Sequence, residues 1–239
     1  MKTSLIKTSI LAGLFCLINV TLHAINFTFN AALSSGLASS DGIDLPTGML
    51  LRFGVFDLAD EQITANASNL AYLDAHFQEI NRADIGDGNP VGGASPDDPI
   101  NAGLFSSALR DIDTTPVGQN IAGQRLFYWV FNSTTFSTAT EHGIFSSTDW
   151  LIPSGTGDPF DFGVVYTDIA DLTTNQTGQA LAASARVIIG AFGPGVNPQG
   201  GGINFTLSPI APIPEPATCI ALFATIALAL AIRERRKII

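Results

Sequence analysis

Residues 126–131 read LFYWVF, an unbroken run of large apolar and aromatic side chains. Aromatic and β-branched residues favour strands, and a run without a polar position leaves no face for solvent. Successive side chains of a strand point to opposite faces, so Tyr128 and Trp129 must face opposite ways. The run therefore predicts a strand that is covered on both faces or packed at the centre of a sandwich.

Further strands are predicted on both sides of this run. Residues 50–56 and 186–192 are also dense in apolar residues, whereas residues 25–30 (INFTFN) and 203–208 (INFTLS) alternate apolar and polar. Alternation is typical of strands that are buried on one face only. Turn-forming clusters separate the strands. The pattern predicts a mainly β fold, an antiparallel β-sandwich for which a jelly roll is one arrangement.

One segment has a helical period instead. Leu70, Leu73, Phe77 and Ile80 recur at spacings of three, four and three residues, with polar side chains between them. This spacing places the four apolar residues on one face of a helix. It predicts one amphipathic helix from about residue 67 to residue 82.

The length and charge of the chain limit what it can be. It has 239 residues, 46% hydrophobic and 13% charged, which suffices for one ordinary domain with short appendages. Residues 25–213 contain 19 acidic side chains, five arginines and no lysine. Such an acidic surface repels phosphate backbones, so nucleic-acid binding is disfavoured. We predict a single β-sandwich ectodomain over residues 25–212.

The N-terminus has the layout of a secretory signal peptide over residues 1–24. Lys2 and Lys7 precede an apolar run at residues 10–20, and Ala24 supplies a small residue at the expected cleavage site. The apolar run is too short to remain as a membrane-spanning helix. We therefore predict export through the secretion translocon and a mature chain that starts near Ile25.

The C-terminal residues 213–239 combine three features. Pro214, Glu215 and Pro216 form a tripeptide that proline keeps extended. Residues 217–232 are uncharged and predict a transmembrane helix, although about 24 Å of helix is short for a hydrocarbon core of about 30 Å. A basic cluster follows and would hold this end in the cytoplasm. The cluster consists of Arg233, Arg235, Arg236 and Lys237.

This C-terminal combination closely resembles the PEP-CTERM sorting signal of Gram-negative bacteria, over about the last 27 residues. The resemblance implies that an exosortase, a membrane cysteine transpeptidase, recognises the tripeptide and removes the tail. It also implies a transient anchor in the inner membrane, followed by delivery to the cell surface or the exopolysaccharide matrix. Residues 126–132, 139–145 and 149–150 are similar to ectodomains of PEP-CTERM proteins, a similarity that implies no activity.

The sequence contains no recognised catalytic motif, and we predict no catalytic residue. Cys16 and Cys219 fall in the two terminal segments, which excludes a cysteine nucleophile or a disulfide in the ectodomain. His76 is interpreted as a solvated or helix-capping residue. His142 follows Glu141 in a segment predicted to lie between strands, where the pair is interpreted as bonding a loop, with acid–base work as the alternative.

No cofactor is predicted, with calcium as the alternative. Asp84, Asp87 and Asn89 place three oxygen-bearing side chains in a glycine-rich loop, and Ca²⁺ prefers such ligands. The loop lacks the spacing and the terminal glutamate of an EF-hand. A solvated turn is the interpretation that we favour.

The sequence as a whole predicts a secreted structural or adhesive protein of the cell surface or extracellular matrix, with no catalysis of its own. The first alternative is a carbohydrate-binding module that contacts exopolysaccharide through Trp150, because aromatic rings stack on sugars. The second is a glycan-active extracellular enzyme, because such enzymes use a pair of carboxylates and this chain has many.

Overall fold

A computed structural model of the chain describes residues 24–31, 36–88, 95–113, 121–153, 163–174, 180–194 and 203–212. The predicted signal peptide other than Ala24, the sorting tail at 213–239 and Asn89 lie outside these residues.

The described residues form twelve strands and two short α-helices, which confirms the prediction of a mainly β fold. The strands are β1 (Ala24–Ala31), β2 (Gly36–Ala38), β3 (Leu50–Phe56), β4 (Phe77–Asp84), β5 (Phe105–Asp113), β6 (Arg125–Phe131), β7 (Glu141–Leu151), β8 (Gly163–Asp168), β9 (Ala185–Ile189), β10 (Ala191–Pro194), β11 (Ile203–Thr206) and β12 (Ser208–Pro209). The helices are α1 (Asp60–Ala65) and α2 (Leu70–Ala75), and single 3₁₀ turns lie at Pro99–Asn101, Phe136–Thr138 and Ile169–Leu172.

The strands belong to three sheets. The central sheet has the order β12-β7-β6-β3-β4, with β9 also paired to β7, and the two smaller sheets have the orders β5-β1-β8 and β10-β11-β2. Most pairs are antiparallel, as predicted. The pairs β1–β8 and β11–β2 are parallel. Each parallel pair joins strands that are distant in sequence, so no tight hairpin imposes the antiparallel direction.

Strand β6 is buried on both faces, as its sequence predicts. Tyr128 points into a sandwich core between the central sheet and the smaller sheets, and Trp129 points into a second core beneath the helices. The sandwich core includes Phe27, Phe29, Leu37, Phe53, Tyr128, Phe145, Trp150 and Phe205. The helix-side core consists of Leu50, Phe56, Ile63, Leu73, Phe77, Phe127, Trp129, Phe131, Ile144 and Ile189.

The predicted helix at residues 67–82 is wrong in its second half. Only α2 is helical, with the Asn69 side chain accepting the Tyr72 N–H at its start, and residues 77–84 form β4 beside β3. Phe77 packs in the helix-side core, while Ile80 packs against the sandwich core. Two apolar residues three positions apart lie on opposite faces of a strand, so this spacing also fits a strand that is covered on both faces.

The alternating segments differ from each other. In β1 the side chains of Ile25, Phe27 and Phe29 are buried and the intervening ones are partly exposed, as predicted. In β11 the prediction of one solvent-facing side is wrong, since Asn204 and Phe205 are both fully buried.

The chain changes sheets within the run predicted as one strand at residues 186–192. Gly190 has φ of +113° and separates β9, which pairs with β7, from β10, which pairs with β11. Only glycine adopts this backbone conformation readily. Among the described residues, no helix is long and apolar enough to span a membrane.

Candidate functional site

The helix-side core holds a buried polar contact between neighbouring strands. On β6, Trp129 donates its Nε1–H to Nδ1 of His142 on β7 at 3.0 Å. His142 Nε2 lies 2.7 Å from the backbone oxygen of Ala67. An accepting Nδ1 requires the proton on Nε2, so the neutral imidazole bridges the central sheet and the α1–α2 connection. Burial lowers the pKa of His142 to about 4, although the hydrogen bond to Ala67 opposes that shift.

Glu141 and His142 do not form an acid–base pair. Both lie within β7 rather than between strands, which corrects the predicted placement. The Glu141 carboxylate accepts the backbone N–H of Ser40 at 2.9 Å and its hydroxyl at 2.6 Å. The loop-bonding interpretation of this residue is therefore confirmed.

Arg52 is the buried charge that the sequence interpretation missed. Its guanidinium lies 5.0 Å from the ring centres of both Phe77 and Trp129. It donates to Asp74 on α2 at 2.6 Å and to Glu79 on β4. A single arginine within the otherwise apolar run LLRFGVF was the available signal, because a charge in a covered strand needs partners.

A histidine and a carboxylate meet at the rim of a small cleft. His76 caps the C-terminus of α2, as predicted, and its Nδ1 lies 2.8 Å from Asp57 Oδ1. The cleft has a volume of about 290 Å³. A carboxylate-oriented imidazole can act as a general base. However, the described lining residues include no serine, threonine or cysteine that it could activate: they are Val55, Asp57, Ala75, His76, Phe77, Gln78 and Gln124.

A larger open groove of about 620 Å³ runs between α1 and β9. The hydroxyl of Thr64, which lines the groove, lies 2.9 Å from the backbone oxygen of Asp60 and 3.3 Å from that of Ile188. Two charged groups of the groove are engaged within the chain, since Asp60 pairs with Arg125 and Arg186 donates to the oxygens of residues 183 and 185, whereas the Glu61 carboxylate is exposed. The exposed Leu181 gives one wall an apolar surface.

The predicted calcium loop is described in part. The Asp87 carboxylate accepts the backbone N–H of Asp84 at 2.8 Å, as a turn does, and Asn89 lies outside the described residues. Burial, followed by the nearby charge of Asp87, raises the pKa of Asp84. Across the described ranges, no three histidine, cysteine or carboxylate side chains come together as metal ligands.

Trp150 is not placed to bind a sugar, which corrects its proposed role as the glycan-contacting aromatic of the first alternative. It is 3% exposed, stacks on Tyr128 with ring centres 4.8 Å apart, and donates Nε1–H to Asp171 at 3.3 Å. Its indole therefore belongs to the sandwich core. Among the residues that the structure describes, Tyr166 on β8 is the exposed aromatic side chain, at 58% exposure.

No protein-family model, curated protein or solved structure matches the chain.

Proposed function

We propose that the chain is a secreted, exosortase-sorted protein of the cell surface or extracellular matrix, with a structural or adhesive role and no catalysis of its own. The terminal segments support the export and sorting steps through their resemblance to a signal peptide and a PEP-CTERM tail. The acidic, lysine-free ectodomain suits a hydrated polysaccharide layer.

The structural role is supported by the contacts that the reactive side chains of the ectodomain make. His142 fastens the central sheet to the α1–α2 connection, and Arg52 ties β3 to α2 and β4. Both residues are buried among aromatic rings. Side chains that could carry chemistry instead brace a central sheet packed on both faces, which favours a rigid module.

Sorting is tested by following both ends of the full chain in a bacterium that has an exosortase. We expect the wild-type chain at the cell surface without its tail, and Glu215→Ala to retain the tail in the membrane. Glu234→Ala is the matched control, because it changes a carboxylate beyond the hydrophobic stretch. A wild-type chain that stays in the cytosol with both ends intact would overturn the proposal.

The structural role is tested separately in the extracellular matrix. We expect loss of the chain to weaken matrix cohesion, and the purified chain to leave the matrix polysaccharide uncleaved. Release of reducing sugar by the purified chain would instead support an enzyme and direct attention to the His76–Asp57 pair.

Glycan binding is the second candidate, and the exposure of Tyr166 favours it. Tyrosine offers an apolar ring face with a polar tip, a combination suited to sugars. Binding of the full chain to a glycan array, lost in Tyr166→Ala and kept in Tyr72→Ala, would support this candidate.

A further inference from the structure

Asp44 and Asn204 form a buried pair between the loop at residues 39–48 and β11. Asn204 Nδ2 donates to Asp44 Oδ1 at 2.6 Å. Asp44 is 8% exposed and Asn204 is 0% exposed. The second oxygen of each side chain, Asp44 Oδ2 and Asn204 Oδ1, is buried without a hydrogen-bond partner. Two unpartnered acceptors in one pair are unusual, because buried polar atoms are nearly always hydrogen-bonded.

The described elements around Asp44 supply no positive charge to it. The described segments that contact it are β2, β11 and the backbone around Gly103, and none of them has a titratable side chain. Asp41, on the same loop, is exposed, and its carboxylate accepts from Ser39 Oγ and from the N–H of Ile43. An ionised Asp44 would therefore be a buried, uncompensated charge, which is costly.

A single proton resolves both defects. Protonation of Asp44 at Oδ2 makes that oxygen a hydrogen-bond donor. The unpartnered atom of Asn204 is Oδ1, which is an acceptor for this donor. The acid O–H and the amide N–H would then donate in opposite directions across one closed ring. We propose that Asp44 is a proton-binding site, and that its neutral carboxyl closes an acid–amide ring with Asn204 that fastens the 39–48 loop to β11.

The position of the pair gives this ring a structural consequence. Asp44 bridges Ala38 of β2, and the next residue, Leu45, donates to the oxygen of Leu37 at 2.9 Å. Asn204 pairs with glycines on both sides, Gly36 of β2 and Gly193 of β10, so no cross-strand side chain competes for its amide. The ring thus joins segments 160 residues apart at the smaller sheet that contains β11.

The predicted pH dependence follows from burial. Desolvation raises the pKa of Asp44 to about 6, opposed by the hydrogen bond from Asn204. A carboxyl whose folded pKa is raised stabilises the fold when protonated, so its contribution is complete below the unfolded value of 3.8 and is lost as pH rises through about 6. The ring therefore forms as pH falls through about 6, and its stabilising effect is complete below 3.8.

The test compares the full chain with its Asp44→Asn variant in urea unfolding across this pH range. An amide at position 44 can make both hydrogen bonds without titrating. We expect the ratio of the two unfolding constants to change on the order of a hundredfold between pH 4 and pH 7, with the wild type losing relative stability as pH rises. His142 and the other titrating groups are common to both proteins, so their contributions cancel.

Asp41→Asn is the matched control on the same loop. The hydrogen bond from Ser39 lowers the pKa of the Asp41 carboxyl in the wild type. Relative to Asp41→Asn, the wild type should therefore gain stability as pH rises, which is the opposite sign to the comparison with Asp44→Asn. The proposal would be overturned if the ratio of the wild-type and Asp44→Asn unfolding constants did not change with pH. Stabilisation of the wild type, but not of Asp44→Asn, by added Ca²⁺ or Na⁺ at pH 7 would also overturn it, because the unpartnered oxygens would then bind a cation.

Discussion

Trp129 and His142 lie on neighbouring strands, and the indole N–H donates to the imidazole Nδ1 at 3.0 Å within the helix-side core. The contact fixes the tautomer of His142 and directs its other nitrogen to the Ala67 oxygen. A protonated imidazole could not accept from Trp129. The stability of this region should therefore depend on the charge of one buried side chain.

The first prediction concerns pH. Since burial lowers the pKa of His142 from 6.5 to about 4, the unfolded chain takes up the proton first, and stability is complete above 6.5 and lost as pH falls through about 4. We expect the loss to total about 3 kcal/mol of unfolding free energy. His142→Gln can donate and accept in the same directions without titrating, so it should lack this loss in urea unfolding. Equal pH slopes in the two proteins would contradict the prediction.

The second prediction concerns the hydroxyl of Tyr128. It lies 2.6 Å from Thr167 Oγ1 and 3.0 Å from the Thr167 oxygen, and so joins the central sheet to β8 through the sandwich core. Tyr128→Phe leaves these buried groups short of a partner and should cost about 1–2 kcal/mol in chemical denaturation. The matched change Tyr166→Phe, at an exposed ring, should stay within about 0.5 kcal/mol. Similar losses for both variants would show that the buried hydrogen bonds contribute little.

The third prediction concerns Arg52. Arg52→Met removes the partner of Asp74 and Glu79, and we expect a loss of about 2–3 kcal/mol, less than for a fully buried pair because the Asp74 side chain is 44% exposed. Arg82, whose side chain is 64% exposed, also pairs with Glu79. Arg82→Met should therefore cost less than about 1 kcal/mol in the same denaturation experiment. Equal costs would mean that the aromatic surroundings of Arg52 add nothing.

The fourth prediction concerns the irregularity between β3 and β4. A Cβ at Gly54 would lie 2.2 Å from the Gln78 backbone oxygen and 2.7 Å from Phe77 Cζ. Gly54→Ala must displace the neighbouring strand and should lower the unfolding free energy by about 1–3 kcal/mol. At Gly193 no atom of the described residues lies within 4 Å of the place that a Cβ would take. Gly193→Ala should therefore be neutral or slightly stabilising when both variants are compared by thermal unfolding. A tolerated Gly54→Ala would indicate that β4 can shift at this point.

Much of the fold was predictable because strands carry their burial pattern in their own residues. The run at residues 126–131 and the alternation in β1 predict which faces are covered, and the structure confirms both. The helix predicted over residues 67–82 was wrong because pairing with β3 gives residues 77–84 a partner that a local period does not reveal. The same limit applied to β11, where Asn204 looked like a solvent-facing position.

By itself, the sequence determined the mainly β class and the two-sided burial of β6, since these depend on residue type and short-range spacing. Only the tertiary structure decided the partners. It paired Trp129 with His142, Arg52 with Asp74 and Asp44 with Asn204, and it buried Trp150. The physical reason is that a buried polar group or ring is defined by what packs against it, and those neighbours are 13 to 160 residues away along the chain.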